Sequence, residues 1–259
     1  MKIILHADDF GYNEDTVEAT IELFEKGALT SASIMVNMPA SDIAVSYAKA
    51  HPEKSWGVHL TYVDELRPVL DASLIPSLVD ERGLFLDSNL VRKKAMLFKI
   101  AKTDIISESL AQIAKLQDAG IQVSHLDSHG HLHKFPSFLF SMREIAKRTG
   151  IKRIRRVQNV FINSPQRGLK SFLNTCFDVY IRHNFKSTDY FYMPANTLDT
   201  EWSGCMYKNL MNFPQNKVIE IGVHPGNAES WRVQEKADME DFYRQIILHD
   251  HNVICWNNV

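Results

Sequence analysis

Cysteine is scarce in this chain, and so is net charge. Its 259 residues hold three cysteines, Cys176, Cys205 and Cys255. That odd, widely spaced set excludes a disulfide framework and a cysteine-type zinc site, and it fits a reducing cytoplasm. Lysines and arginines number 29 against 31 aspartates and glutamates, a formal charge of -2. With a pI near 6.6, no polycationic footprint marks a nucleic-acid partner. The short basic stretches Arg92-Lys93-Lys94 and Lys152-Arg153-Ile154-Arg155-Arg156 read as solvated surface or contacts to an anionic group. No apolar run approaches the roughly 18 residues of a membrane helix, so no membrane association is expected. The opening apolar stretch is too short and too acidic for a signal peptide. Linkers, low-complexity tracts and internal repeats are also absent. What remains is an ordinary globular composition, 45% hydrophobic and 23% charged, at a length that suits an α/β barrel as one domain.

Strand-like and helix-like stretches alternate along the chain. The first strand ends on Asp8, Asp9 and Gly11, and Val17, Ile21 and Phe24 then recur at helical spacing up to Gly27. Further strands are expected over residues 31–37, 55–60, 121–127, 153–157, 218–223 and 253–256. Helices are expected through Ala44 and Tyr47 and over residues 105–119, 138–148 and 236–249. Residues 64–100, with Pro68 and Pro76, read as an inserted loop or lid, and residues 160–215 show no readable pattern. About seven β-α units in series predict a single distorted (β/α) barrel rather than two doubly wound halves.

In a parallel barrel the C-terminal ends of all strands lie on one face, so distant residues converge there. The first strand delivers Asp8 and Asp9, the third His59, and the fourth the run His125-Leu126-Asp127-Ser128-His129-Gly130-His131-Leu132-His133; a later strand ends in His224-Pro225-Gly226. Adjacent buried carboxylates ask for a cation opposite them. One carboxylate and two imidazoles form a facial ligand set that leaves positions open for water and substrate. Asp9, His59 and His129 are the ligand set chosen on this basis. Alternation along an extended segment would turn His129, His131 and His133 to one side, so His131 or His133 is expected to orient a ligand or touch substrate. His125 is as readily structural, and His6, His51, His183, His249 and His251 are read as structural.

These motifs carry a resemblance. His6-Ala7-Asp8-Asp9-Phe10-Gly11, Gly57-Val58-His59-Leu60-Thr61, the histidine run and Val223-His224-Pro225-Gly226 together resemble the YdjC-like, ChbG-type carbohydrate deacetylases. The resemblance implies a distorted (β/α) barrel related to polysaccharide deacetylases. It also implies one divalent metal, usually taken as magnesium, and removal of acetyl groups from N-acetylated sugars such as chitooligosaccharides. Its metal set falls on Asp9, His59 and His129, and its base on Asp8. Gly130 stands where many members carry histidine, and His6 where asparagine is commoner.

Amide hydrolysis then has its parts. Asp8 would take the proton of the attacking water and His224 would protonate the departing amine. Trp56, Tyr62, Trp202 and Trp231 are candidate sugar-stacking faces. The histidine-rich donor set also suits zinc or another transition metal. A metal-dependent phosphoesterase and a non-catalytic sugar-binding module are the competing readings. A homodimer is left open.

Overall fold

Eight of the nine residues of β1 (Lys2–Phe10) are buried, as a strand must be when it has neighbours on both edges and helices over both faces. The structure, a computed structural model, describes residues 1–64, 66–162, 168–194 and 202–259. The other strands are β2 (Ser31–Ile34), β3 (Ser55–Leu60), β4 (Val123–Ser128), β5 (Tyr190–Tyr192), β6 (Val218–Val223) and β7 (Asn252–Ile254). They pair in parallel in the order β4-β3-β2-β1-β6-β5, with β7 also on β1. One edge of β1 carries β6 along Lys2 to Ala7. The opposite edge is divided, β7 lying beside Lys2 to Ile4 and β2 beside His6 to Phe10.

Between β4 and β5 the sheet continues only as isolated bridges, Leu126 with Ile154 and Arg153 with Lys186. The parallel sheet is therefore curled into a distorted, incompletely closed (β/α) barrel, the fold class read from the sequence. The strand expected at residues 153–157 is reduced to those bridges, and the reason is local. Arg155 bonds to the Leu126 carbonyl through its backbone, and four residues later Asn159 is already bonded to Phe191 of β5. The segment crosses from one strand to the other and pairs briefly with each.

The helices are α1 (Glu14–Glu25), α2 (Ser41–Ala50), α3 (Ser88–Met96), α4 (Lys102–Asp118), α5 (Pro136–Thr149), α6 (Leu169–Asn184), α7 (Trp202–Leu210) and α8 (Ser230–Leu248). Their ends follow the sequence. Asn13 and Thr16 form a reciprocal capping box on α1. Pro136 opens α5, and Gly150, at φ 76°, closes it in the left-handed conformation. The stretch 64–100, described except for Glu65, is anchored on the core. Ile75, Leu78 and Phe85 are fully buried, and Glu108 of α4 accepts the backbone N–H groups of Val69 and Leu70. Of the unreadable stretch 160–215, α6, β5 and α7 are described, while residues 163–167 and 195–201 lie outside the described residues.

Candidate active site

The end of β1 is built to turn two neighbouring carboxylates in different directions. Its register against β2 shifts between Ala7 and Phe10, and Asp9 adopts φ 60°, a left-handed conformation that aspartate tolerates better than most residues. Gly11 follows at φ 107°, where a Cβ would lie 2.8 Å from the Met35 carbonyl oxygen, so only glycine fits the turn.

Asp9 Oδ1 lies 3.0 Å from His129 Nδ1 and 3.3 Å from His59 Nε2, while Arg232 Nη2 donates to Oδ2 at 2.9 Å. Asp8 faces inward instead. Its Oδ2 accepts from Arg155 Nη1 at 2.7 Å, and its buried Oδ1 stands 3.4 Å from His6 Nε2 with no hydrogen-bond partner among the described residues. His59, at the end of β3, is held by its other nitrogen: Nδ1 is 2.9 Å from Asp127 Oδ1, and Ser33 donates to Asp127 Oδ2 at 2.9 Å. A carboxylate on the far ring nitrogen fixes tautomer and orientation in metal-binding histidines.

The histidine run departs from the expected alternation. A turn of 3₁₀ helix covers His129–Lys134, with Gly130 and His131 both left-handed at φ 60° and 53°. The chain doubles back there, so the three histidines diverge. His129 faces Asp9 and approaches Asp64 with Nε2 at 3.4 Å. His131 packs edge-on against Phe191. His133 turns into the interior, where Nδ1 meets Ser128 Oγ at 2.8 Å and Nε2 is unpartnered. At the end of β6, the His224 backbone N–H donates to Glu235 Oε2 at 2.7 Å, and the ring Nδ1 lies 3.2 Å from the same oxygen.

A cavity of about 530 Å³ is lined by Asp8, Asp9, His59, His129, His131 and His224, with Tyr12, Trp231 and Arg232 on its wall. The structure thus brings together all of the sequence-derived site residues except His133. Of the aromatic candidates, Trp56, Tyr62 and Trp202 are at most 2% exposed within the core, so they offer no face to a sugar. Trp231 lines the cavity.

The electrostatics follow from burial and charge. Burial alone would raise the Asp9 carboxyl, yet His129 and hydrogen bonds from both histidines hold it well below the usual carboxylate range. Burial opposes protonation of His59, but Asp127 and Asp8 push it up to about 10. His129, against the same desolvation, is pushed up to about 9 by Asp9 and Asp64. His224 is raised by Glu235. His131 and His133 are desolvated and held neutral, His133 down to about 3.

Beneath the cavity Arg155, fully buried, reaches Asp8, Asp127 and Glu220, each at 2.7 Å. Burial raises Glu220 to about 7. With it ionised, Asp8, Asp9, Asp127 and Glu220 meet the guanidinia of Arg155 and Arg232, while Glu235 pairs with His224. Protons on His59 and His129 make up the difference. A divalent cation would deliver the same two charges on neutral imidazoles. Asp9, His59 and His129 place one ligand atom each within 4.8 Å of one another, a separation that one ion can span. The donor chemistry, the tethered His59 ring and the charge balance fit such an ion.

Arg155, Arg232, Asp127 and Glu235 were not singled out as site residues by sequence reasoning. Arg155 stood in a basic stretch that reads as surface, although an anionic contact was one of its two readings. Arg232 and Glu235 stand three apart, one helical face, but the helix expected there began at residue 236. Asp127 stood within the histidine run itself.

A family model described as YdjC-like protein matches residues 2–255. Carbohydrate deacetylases of Geobacillus stearothermophilus and Brevibacillus brevis are 37% identical over 145 residues and 35% identical over 147 residues. These matches cover 56% and 57% of this chain and 56% of each relative. The chain thus spans little more than half the length of the curated relatives it matches. Among solved structures, a candidate cellobiose-phosphate cleavage protein of Enterococcus faecalis V583 superposes with a TM-score of 0.80 at 21% identity, covering 99% of this chain and 98% of its own. That likeness is one of fold.

Proposed function

The chain belongs to the YdjC-like protein family, and from that premise we propose that it is a carbohydrate deacetylase. It would hydrolyse the N-acetyl group of amino sugars or their oligosaccharides with one divalent cation held by Asp9, His59 and His129. The observation that carries the reading is the shared cavity. The Asp9–His59–His129 set, Asp8 and a glutamate-held His224 all line it. When bound, a divalent cation supplies Lewis acidity toward a water and a carbonyl oxygen.

The remaining work falls to the chain's own residues. Asp8 accepts the proton of the attacking water while Arg155 keeps its Oδ2 in place. His224 donates a proton to the departing amine, and Glu235 both orients the ring and favours its protonated form. Asp127 and Ser33 hold His59 toward Asp9. His131 lines the cavity and contacts substrate, whereas His133 supports the turn from below through Ser128. Two imidazoles make zinc or another transition metal as apt as magnesium.

A two-metal phosphoesterase fits less well. Among the described residues the other groupings with ligand spacing, His6–His125–Asp127 and Asp8–His59–Asp127, both include Asp127, which already pairs with the Arg155 guanidinium. Acetate release from N-acetylglucosamine and its β-1,4 oligomers, abolished by EDTA and restored by a divalent metal, is the expected result. Phosphate release from sugar phosphates without acetate would overturn the assignment, as would metal binding with neither product.

The rate against pH is expected to be bell-shaped, since Asp8 must be ionised and His224 protonated. Glu235 raises His224, so the alkaline limb should lie above the ordinary histidine value of about 6.5. Glu235→Gln removes the negative charge and should move that limb to lower pH. An unmoved limb would return His224 to a structural role.

A further inference from the structure

Gly130 and His131 stand on the wall of the active-site cavity. They also line a second cavity of about 600 Å³, whose walls come from α3, the 3₁₀ turn and α6. Its lining is mainly apolar: Met96, Phe135, Leu169, Leu173 and Phe177. Arg92 stands at the junction, its Nη2 donating to the Gly130 carbonyl at 3.4 Å. A Cβ on Gly130 would sit 2.9 Å from the same nitrogen. Glycine at this position, at φ 60°, therefore permits both the turn that separates the two cavities and the close approach of Arg92.

The lining selects the occupant. A further sugar ring would bring several hydroxyl groups, each needing partners. Among the described lining residues, Arg92 and Lys134 offer donors only, and Asn174 supplies the one side-chain acceptor apart from His131. The volume lies within the range of small-molecule sites, and an apolar wall with few polar groups is the usual composition of a pocket for an apolar group.

We propose that this second cavity receives an apolar substituent, an alkyl chain or aromatic ring, carried by the amino-sugar substrate whose amide lies in the first. The proposal rests on the deacetylase reading. Two parts of a substrate could supply that chemistry: an N-acyl chain longer than acetyl, or an apolar aglycone.

The experiment compares N-acetyl-, N-butyryl- and N-hexanoylglucosamine in one arm, and methyl, hexyl and phenyl β-glycosides of N-acetylglucosamine in the other. The metal-loaded protein is used throughout. Burial of each added methylene is worth a factor of about four, so kcat/KM should rise at least about tenfold across the arm whose group enters the cavity. Leu173→Asp, which puts a carboxylate in the wall, should return the long-to-short ratio to near one. Leu173→Trp, which fills the space, should do the same if the aspartate variant does not fold. Acetate release with flat or falling kcat/KM along both arms would overturn the proposal. So would loss of self-association in Leu173→Asp with no preference for apolar groups, because a second copy would then be the occupant. If no amide is hydrolysed, the function reading fails separately. Calorimetric binding of N-hexanoylglucosamine against N-acetylglucosamine then decides the cavity by itself, equal affinities counting against it.

Discussion

Asp8→Asn should retain its metal and lose turnover by roughly 10²–10⁴, the span of a general-base contribution, whereas Asp9→Asn should lose the metal itself. The two residues are adjacent, and simple strand alternation would already set them on opposite sides. The structure separates them further. The left-handed conformation of Asp9 swings it toward His59 and His129, while Asp8 is gripped from below by Arg155. An amide in place of Asp8 can still accept from Arg155 through its oxygen, so the variant should fold. Metal content after dialysis and single-turnover acetate release separate the roles. Equal metal loss in both variants would sink the assignment.

Arg155→Met is expected to be the most destabilising single change in the molecule. The guanidinium is completely buried and reaches Asp8, Asp127 and Glu220 at once. Removing one partner of a buried ion pair costs about 3–5 kcal/mol because the other is left uncompensated, and here Asp8 and Glu220 both lose their guanidinium while Asp127 keeps His59. For a chain of this size that corresponds to a fall in Tm of roughly 6–20 °C. Arg155→Lys should recover only part of the loss, since a single ammonium cannot match the fork that reaches three acceptors. Thermal unfolding followed by circular dichroism measures both. A methionine variant that melts with the wild type would show that the carboxylates find other compensation.

The strands at the catalytic end were legible because each is a short apolar run closed by a chemically distinctive residue. The ends of β1, β3, β4 and β6 were all placed within about two residues, and Asp9, His59 and His129 do converge. The histidine run was misread because alternation assumes extended backbone, and two successive left-handed residues at Gly130 and His131 break it. The loss of residues 153–157 as a strand has a different cause. Its β-like composition is genuine, but the curled sheet leaves it a neighbour at each end rather than along its length. The unreadable stretch 160–215 includes α6, whose Leu169, Phe172 and Val179 are apolar and exposed, so the periodicity that normally marks a buried face is blurred there. Arg155 and Arg232 were hidden for a more general reason. A basic residue in sequence is most often solvated, and only three-dimensional placement shows which arginine is surrounded by carboxylates.

The divided edge of β1 bears on how the polypeptide is made. β1 is synthesised well before two of its three neighbours, β6 and β7, which lie more than two hundred residues later. Until they are synthesised, β1 keeps an open hydrogen-bonding edge of apolar residues, the arrangement most prone to intermolecular pairing. Such long-range closure is also slow. The carboxylate of Asp9 that pairs with Arg232 also cannot be neutralised there until α8 is made. Translation intermediates that stop before residue 218 should therefore be strong clients for chaperones, and catalytic competence should appear only once β6 and α8 have been made.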